Sequence, residues 1–213
     1  MTKYEKILVV LLLGSLWGAL ELFGRDLFRA MGVREKSALL FGLGIIILFT
    51  SKRLVDLPGS VVVMALIAGL FKTASGHFFP CQFAAVMING IVFDITYTVF
   101  KERLNRSPIF RIVAAPVIVY VSYAVFAVFA TYVLQEASWA TEGWPAIRSF
   151  LLADAVSASL ISIVTLHLGY YLGNVIQPYA LQRESRTPAV VLRVVAVVLV
   201  AAIWIAGQMY KTT

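Results

Sequence analysis

Two carboxylic acids, Glu21 and Asp154, lie inside long apolar runs of the sequence. A charge in hydrocarbon costs at least ~2.5–3.5 kcal/mol at the centre of a membrane helix, so each acid needs a partner or a purpose. Glu21 either pairs with Arg25 one helical turn later or faces other helices. Asp154 has no basic residue three or four positions away, so it must meet another helix, meet water or be protonated. Asp154 is the stronger functional candidate, with a structural hydrogen bond between helices as the alternative.

Residues 72–82 form a polar segment between two apolar runs. Lys72, His77, Cys81 and Gln82 supply an amine, an imidazole, a thiol and a carboxamide. His77 and Cys81 are four residues apart, a spacing that suits a metal ion on a helix, but the glycine and proline beside them predict a turn. A metal site also needs a third ligand, which the neighbouring sequence lacks. We therefore expect no metal, and a His77 that caps a helix or contacts a ligand.

Further polar side chains lie in the apolar run that follows. Gln82 and Asn89 are seven residues apart, so they share a face of one predicted helix. Asp94 points elsewhere, and we expect a structural role for it, through a hydrogen bond to another helix or through proximity to the basic cluster of Lys101, Arg103 and Arg106. The predicted pocket, open at the outer membrane face, is lined by Glu21, Lys72, His77, Gln82, Asn89 and Asp154. Two carboxylates at one level favour a cationic or hydrogen-bond-rich ligand and disfavour an anionic one.

The composition defines the broad class. Of the 213 residues, 61% are hydrophobic and only 14% are charged, with a mean hydropathy of +0.89. Soluble domains are roughly 45–50% apolar and about 25% charged. This composition predicts an all-α, polytopic membrane helix bundle, with residues 1–213 as a single transmembrane domain. The net charge of +7 comes from short Lys and Arg clusters between apolar runs, which favours membrane orientation over nucleic-acid binding.

Seven apolar segments are long enough to consider as membrane crossings. They are Ile7–Gly24, Ser37–Thr50, Pro58–Phe71, Gln82–Phe100, Ile112–Leu134, Phe150–Val175 and Ala189–Met209. The second and third hold 14 residues each, or ~21 Å of helix, so they are either short spans or one re-entrant pair. Seven crossings is the preferred count, with five as the alternative. Because most Lys and Arg residues then fall on one side, we predict a cytoplasmic N-terminus and an outside C-terminus in the cell (inner) membrane.

Several kinds of chemistry are absent from the sequence. The two histidines, His77 and His167, fall near opposite membrane faces and so do not suit one haem iron. The chain lacks a Walker A sequence and the short motifs of zinc proteases, serine hydrolases and dithiol redox proteins. We therefore predict a non-enzymatic protein without a cofactor, whose energy source, if it transports, is a gradient or a partner subunit.

Two glycines give the first predicted helix a surface for close packing. Gly14 and Gly18 form a small-x-x-x-small stripe, and Glu21 and Arg25 continue it. This stripe resembles the Ala-x-x-x-Ala contact face of the substrate-capture (S) components of energy-coupling factor transporters. The short second helix and the stretches 16–21 and 66–72 are similar to small membrane proteins grouped with those components. The resemblance covers roughly the first hundred residues, and the extra apolar run Ala189–Met209 departs from the family's six-helix plan.

The resemblance implies a function. An S component binds a vitamin-like compound or a metal ion from outside, and a transmembrane partner with two ATPases drives its release. Gly14 and Gly18 would then contact the partner helix, and the lipid bilayer and a small-molecule ligand would be the other partners. The alternative is a non-catalytic subunit or assembly factor of a larger membrane complex, in which the polar residues serve only helix contacts. A membrane enzyme acting on lipid is a third class, which no motif supports.

Overall fold

The computed structural model describes residues 1–74, 79–181 and 189–210. This part of the chain is helical over almost its whole length and contains no strand. Its helices are α1 (Lys3–Ala30), α2 (Lys36–Leu54), α3 (Ser60–Ala74), α4 (Pro80–Arg106), α5 (Pro108–Val128), α6 (Ala137–Glu142), α7 (Trp144–Leu152), α8 (Asp154–Leu181) and α9 (Ala189–Tyr210), with a π-helical turn at Phe129–Val133 after α5. The predicted all-α class is confirmed.

Local sequence explains where α1 and α5 begin. Thr2 caps α1, because its hydroxyl accepts the Glu5 N–H at 3.4 Å while the Glu5 carboxylate accepts the Thr2 N–H at 2.6 Å. This reciprocal capping box satisfies two amides that have no partner within the helix. Ser107 caps α5 by accepting the Phe110 N–H at 3.1 Å. Pro108 follows at the first helical position, where a missing N–H costs nothing.

Within the part of the chain that the structure describes, six stretches of helix are long and apolar enough to cross a membrane. They are α1, α2, α4, α5 with its π turn, α7 with α8, and α9. The protein is therefore a multi-pass membrane protein. At 15 residues, or ~22 Å, α3 is shorter than the ~30 Å hydrocarbon core.

The prediction that the second helix is short is wrong. α2 has 19 residues, about 28 Å, and it continues through Lys52 and Arg53 instead of ending at Thr50. These two cations were interpreted as the start of a loop, but the structure gives both of them polar partners within the bundle. The sixth predicted segment also differs, because its helix is interrupted at Ala153, which separates α7 from α8.

Polar contacts between helices fix their relative directions. Three of them join α1 to α9 in the same order along both helices: Glu5 with Arg193 at 3.1 Å, Ser15 with Trp204 at 2.9 Å, and Asp26 with Tyr210. The two helices are therefore parallel, and the described ends of the chain lie at opposite ends of the bundle. We call the end where α1 begins the proximal end and the end where α1 finishes the distal end.

α2 is the central helix of the bundle and α9 is peripheral. In their most apolar stretches, 61% of α2 is buried inside the protein against 6% of α9. α2 packs mainly on α8, where Gly169 meets Phe49 and Gly173 meets Arg53. α9 packs only on α1 and α3 among the closely contacting described helices and turns the rest of its apolar surface outward. This arrangement places α1, α2, α4 and α5 around a common interior at the distal end.

Candidate functional site

A cavity of about 250 Å³ opens at the distal end of the bundle. α1, α2, α4, α5, α6 and α7 all contribute to its wall. Its lining residues are Glu21, Arg25, Ser37, Leu40, Phe41, Cys81, Gln82, Ala85, Val86, Asn89, Tyr123, Phe126, Trp139 and Phe150. Four of the predicted pocket residues therefore lie at or beside one cavity, since Glu21, Gln82 and Asn89 line it and Lys72 contacts Glu21.

Glu21 and Lys72 form a buried ion pair at the edge of this cavity. The Lys72 ammonium lies 3.3 Å from a Glu21 carboxylate oxygen, and both side chains are almost fully buried. The alternative in which Glu21 pairs with Arg25 on its own helix is wrong, because the only ion pair that Glu21 forms within the described residues joins α1 to α3. The pair neutralises both charges and links two helices.

Arg25, Gln82 and Asn89 line the cavity with their polar groups unused. None of the three side chains has a hydrogen bond or an ion pair with the described residues. Arg25 follows Glu21 by one turn on α1, whereas Gln82 and Asn89 lie on one face of α4, as their spacing predicts. The cavity lining thus offers a guanidinium and two carboxamides to a bound molecule.

Another part of the cavity lining is aromatic. The rings of Tyr123 and Phe150 stack with centroids 4.8 Å apart, and Trp139 meets Phe150 edge-on at 5.1 Å. Phe126 packs edge-on against Trp139 at 5.7 Å, and Phe41 packs against Tyr123 at 5.5 Å. We call these five residues the aromatic wall. A flat, largely apolar surface of this kind suits a ring-containing ligand.

A helical hairpin brings the aromatic wall together. Gly143, between α6 and α7, has a φ of +61° and a ψ of −129°, a backbone conformation that residues with a side chain rarely adopt. The sharp turn there lets Trp139 of α6 contact Phe150 of α7. Sequence analysis did not identify this wall. Gly143 followed by Trp144 and Pro145 was the available signal of a turn.

Asp154 is not among the residues that line the cavity. It is the first residue of α8, directly after the break at Ala153, and it forms no ion pair with the described residues. The unpaired amides of a first helical turn favour a carboxylate at this position. The structure therefore places Asp154 at a helix start outside the cavity lining, although it lies close enough to Tyr123 of that lining for an electrostatic interaction.

The metal prediction is tested only in part. No group of three or more His, Cys, Asp or Glu side chains that could hold a metal ion occurs in residues 1–74, 79–181 and 189–210. His77 lies outside the described residues. Cys81 is a free thiol in the cavity lining.

Gly14 and Gly18 lie against α3 of the same chain. A Cβ atom on Gly14 would lie 3.0 Å from the Ile67 Cβ, and one on Gly18 would lie 2.8 Å from the Phe71 Cβ and 3.1 Å from the Ala68 Cα. The stripe therefore permits close helix approach, as its spacing indicates. Its neighbour is internal, however, so the stripe is not a free surface for a partner subunit as the resemblance implied.

A small void continues the cavity inward. It has a volume of about 10 Å³, enough for one water molecule or ligand atom, and it shares Glu21, Phe41 and Asn89 with the cavity lining. Trp17 also lines it, and its buried indole N–H has no hydrogen-bond partner among the described residues. The deepest part of the site thus holds one more unused donor.

A buried ion pair at the proximal end was missed by sequence analysis. The Lys52 ammonium lies 2.7 Å from an Asp94 carboxylate oxygen and donates to the Leu57 carbonyl at 2.8 Å. Asp94 also accepts the Gly59 N–H at 2.8 Å and the Val61 N–H at 3.3 Å, which anchors the start of α3. Opposite charges at similar predicted depth, at the end of the second segment and within the fourth, were the available signal.

Arg53 joins three helices beside this ion pair. Its guanidinium donates to the Asn105 and Gln177 side-chain oxygens at 3.1 Å each, and also to the side chain of Asn174. The Tyr97 hydroxyl accepts a hydrogen bond from Asn105 at 3.2 Å. Most of these polar groups satisfy one another, which is typical of a structural role, and only Arg53 Nε among them is a buried atom without a partner in the described residues.

Searches against protein-family models, curated proteins and solved structures find no match to this chain.

Proposed function

We propose that this protein binds a small molecule in the distal cavity and acts as the substrate-capture subunit of a membrane transporter. The observation that carries the proposal is the composition of the cavity lining. Arg25, Gln82 and Asn89 contribute unused polar groups to it, and the aromatic wall contributes five ring-bearing side chains. Ligand sites combine mostly apolar walls with a few polar groups in this way.

The unused polar groups favour binding over a purely structural role. Polar side chains that serve helix contacts pair with one another, as Arg53 does with Asn105 and Gln177. Leaving a buried donor or acceptor unpaired costs about 1–3 kcal/mol. Of the polar groups at the site, the buried Trp17 N–H incurs that cost, which a ligand atom in the small inner void would recover. An assembly factor whose polar residues serve only helix contacts has no use for them.

The proposal includes a topology. α3 would complete a seventh crossing. It runs parallel to α1 alongside the stretch from Gly14 to Glu21, so α2, which connects the two helices in the sequence, must run in the opposite direction. Most Lys and Arg residues then lie at the proximal end, which becomes the cytoplasmic side of the cell membrane. The distal cavity would open to the outside, where a captured substrate arrives.

The proposal also needs a source of energy. The chain has no nucleotide-binding motif. A transmembrane partner and two ATPases would supply the energy, as the resemblance to S components implies. Because α3 covers Gly14 and Gly18, such a partner would contact another face of the bundle.

The test is to identify small molecules that co-purify with the protein. Wild type, Ala85→Trp and Ile95→Trp are purified in mild detergent, and the released compounds are measured by mass spectrometry. Ala85 lines the cavity, so an indole there fills it, whereas Ile95 is on the same helix and 58% exposed. We expect one compound in wild type and Ile95→Trp and its loss in Ala85→Trp. Equal amounts in all three, or no compound in any, would contradict the proposal.

A further inference from the structure

We infer that the ligand of the distal cavity is a small organic anion, with a carboxylate held by Arg25 and a flat ring lying against the aromatic wall. This inference rests on the proposed function, since it names the class of molecule that the cavity captures. It reverses the expectation from sequence that the pocket favours a cation.

The charge balance of the lining favours an anionic ligand. Among the described residues, Glu21 and Arg25 are the charged ones in the lining. Glu21 is already neutralised by Lys72 at 3.3 Å, in a pair whose side chains are 11% and 6% exposed. Arg25 has no ion pair with the described residues. The lining therefore carries one uncompensated positive charge, and the second carboxylate that sequence analysis expected, Asp154, is not part of it.

The guanidinium of Arg25 favours a carboxylate among the possible anions. Arginine presents its donors as a planar fork that matches the two oxygens of a carboxylate, and such bonds are about twice as strong as neutral ones. Gln82 and Asn89 add amide groups to the lining of the same cavity. A carboxylate is thus recognised by shape as well as by charge.

Tyr123 favours a ligand that contains a flat ring. It is only 6% exposed, it lines the cavity, and its hydroxyl has no hydrogen bond with the described residues. Its ring stacks on Phe150 with an angle of 10° between the ring planes. One residue therefore offers both a flat surface for a ring and a polar group for a ring substituent. The volume of about 250 Å³ is slightly below the ~300–1,000 Å³ of common ligand pockets, so it suits one or two rings.

The experiment compares three probes that share one ring system and differ in charge. Indole-3-acetate is an anion, indole-3-acetamide is its neutral analogue, and tryptamine is a cation. Binding of each to the purified full chain is measured by isothermal titration calorimetry after exhaustive washing. We expect indole-3-acetate to bind at least tenfold more tightly than indole-3-acetamide, and tryptamine to bind most weakly.

Variants of two arginines separate recognition from general electrostatics. Arg25→Gln should bring the affinity for indole-3-acetate down to that for indole-3-acetamide and leave the latter unchanged. Arg29→Gln removes an exposed charge one turn further along α1, outside the cavity lining, and should change neither. Arg25→Lys keeps the charge without the fork and should give an intermediate affinity. An unchanged affinity for indole-3-acetamide also shows that Arg25→Gln folds.

Each other outcome overturns the inference. Tighter binding of tryptamine than of indole-3-acetate, or equal affinities for all three probes, would show that Arg25 does not select an anion. The cavity would still be a binding site, so the proposed function would stand. Binding of none of the probes would also reject a ring-containing anion as the ligand, and the small molecules released from wild type and Ala85→Trp would then decide the proposed function separately.

Discussion

Removal of the Lys52 ammonium should destabilise the protein more than any loss of an exposed charge. Lys52 lies 2.7 Å from Asp94, and the two side chains are 1% and 8% exposed. Lys52→Met keeps the length and the apolar stem of the side chain but leaves the Asp94 carboxylate buried without a cation. Breaking one side of a buried pair costs about 3–5 kcal/mol. We expect the free energy of unfolding to fall by that amount.

The chain contains a matched control for this change. Lys101 pairs with Asp56, but these side chains are 47% and 49% exposed. An exposed pair contributes about 0–1 kcal/mol, so Lys101→Met should have a correspondingly small effect. Both variants are compared with wild type by titrating mixed micelles with sodium dodecyl sulfate and following helix content by circular dichroism. The same pair of residue types then reports two burial states.

A double variant tests the reason for the effect. Asp94→Asn removes the stranded charge while one oxygen remains to accept the Gly59 N–H. Added to Lys52→Met, it should restore stability by about 0.5–3 kcal/mol, the range expected for coupled residues. Equal stability losses in Lys52→Met and Lys101→Met, or additive losses in the double variant, would refute this reasoning.

Three further predictions concern packing, the proximal end and topology. Gly18→Leu should reduce the free energy of unfolding by about 1–3 kcal/mol in the same titration, because even a Cβ would lie 2.8 Å from Phe71, and an unchanged value would exclude the close contact. Arg53→Lys should lose stability by about 1–3 kcal/mol, since one ammonium does not replace a fork bonded to Asn105 and Asn174, and wild-type stability would show that these bonds contribute nothing. Reporters fused after Asn105 and after the last residue should report opposite compartments, since α9 runs parallel to α1, and the same compartment for both would reject the proposed topology.

The helices themselves could be predicted because membrane spans are encoded locally. An apolar run of sufficient length forms a helix in lipid whatever its neighbours are, since every backbone group must be satisfied within the run. The spacing of Gly14 and Gly18 likewise indicates a close helix contact without naming the helix that makes it. The sequence therefore predicted the class, the main spans and the shared face of Gln82 and Asn89, all of which depend on short spacings.

The features that were missed depend on residues far apart in the chain. Lys52 resembles a loop cation until Asp94, 42 positions later, is placed beside it. In the same way, the net charge of the cavity lining becomes positive once Lys72 neutralises Glu21 and Asp154 lies outside the lining. Composition and spacing show which charges are present, but which charges remain uncompensated is a property of the packed bundle.

Labelling of the Cys81 thiol tests most directly whether the distal cavity opens to the outside and binds a small molecule. Cys81 is the one cysteine of the sequence and it lines the cavity. Its rate of labelling by a membrane-impermeant maleimide is measured in right-side-out and inverted membrane vesicles, with and without the small-molecule extract of the purified wild type. We expect labelling in right-side-out vesicles only, slowed severalfold by the extract. Labelling confined to inverted vesicles, or a rate that the extract leaves unchanged, would contradict an outward-opening binding site.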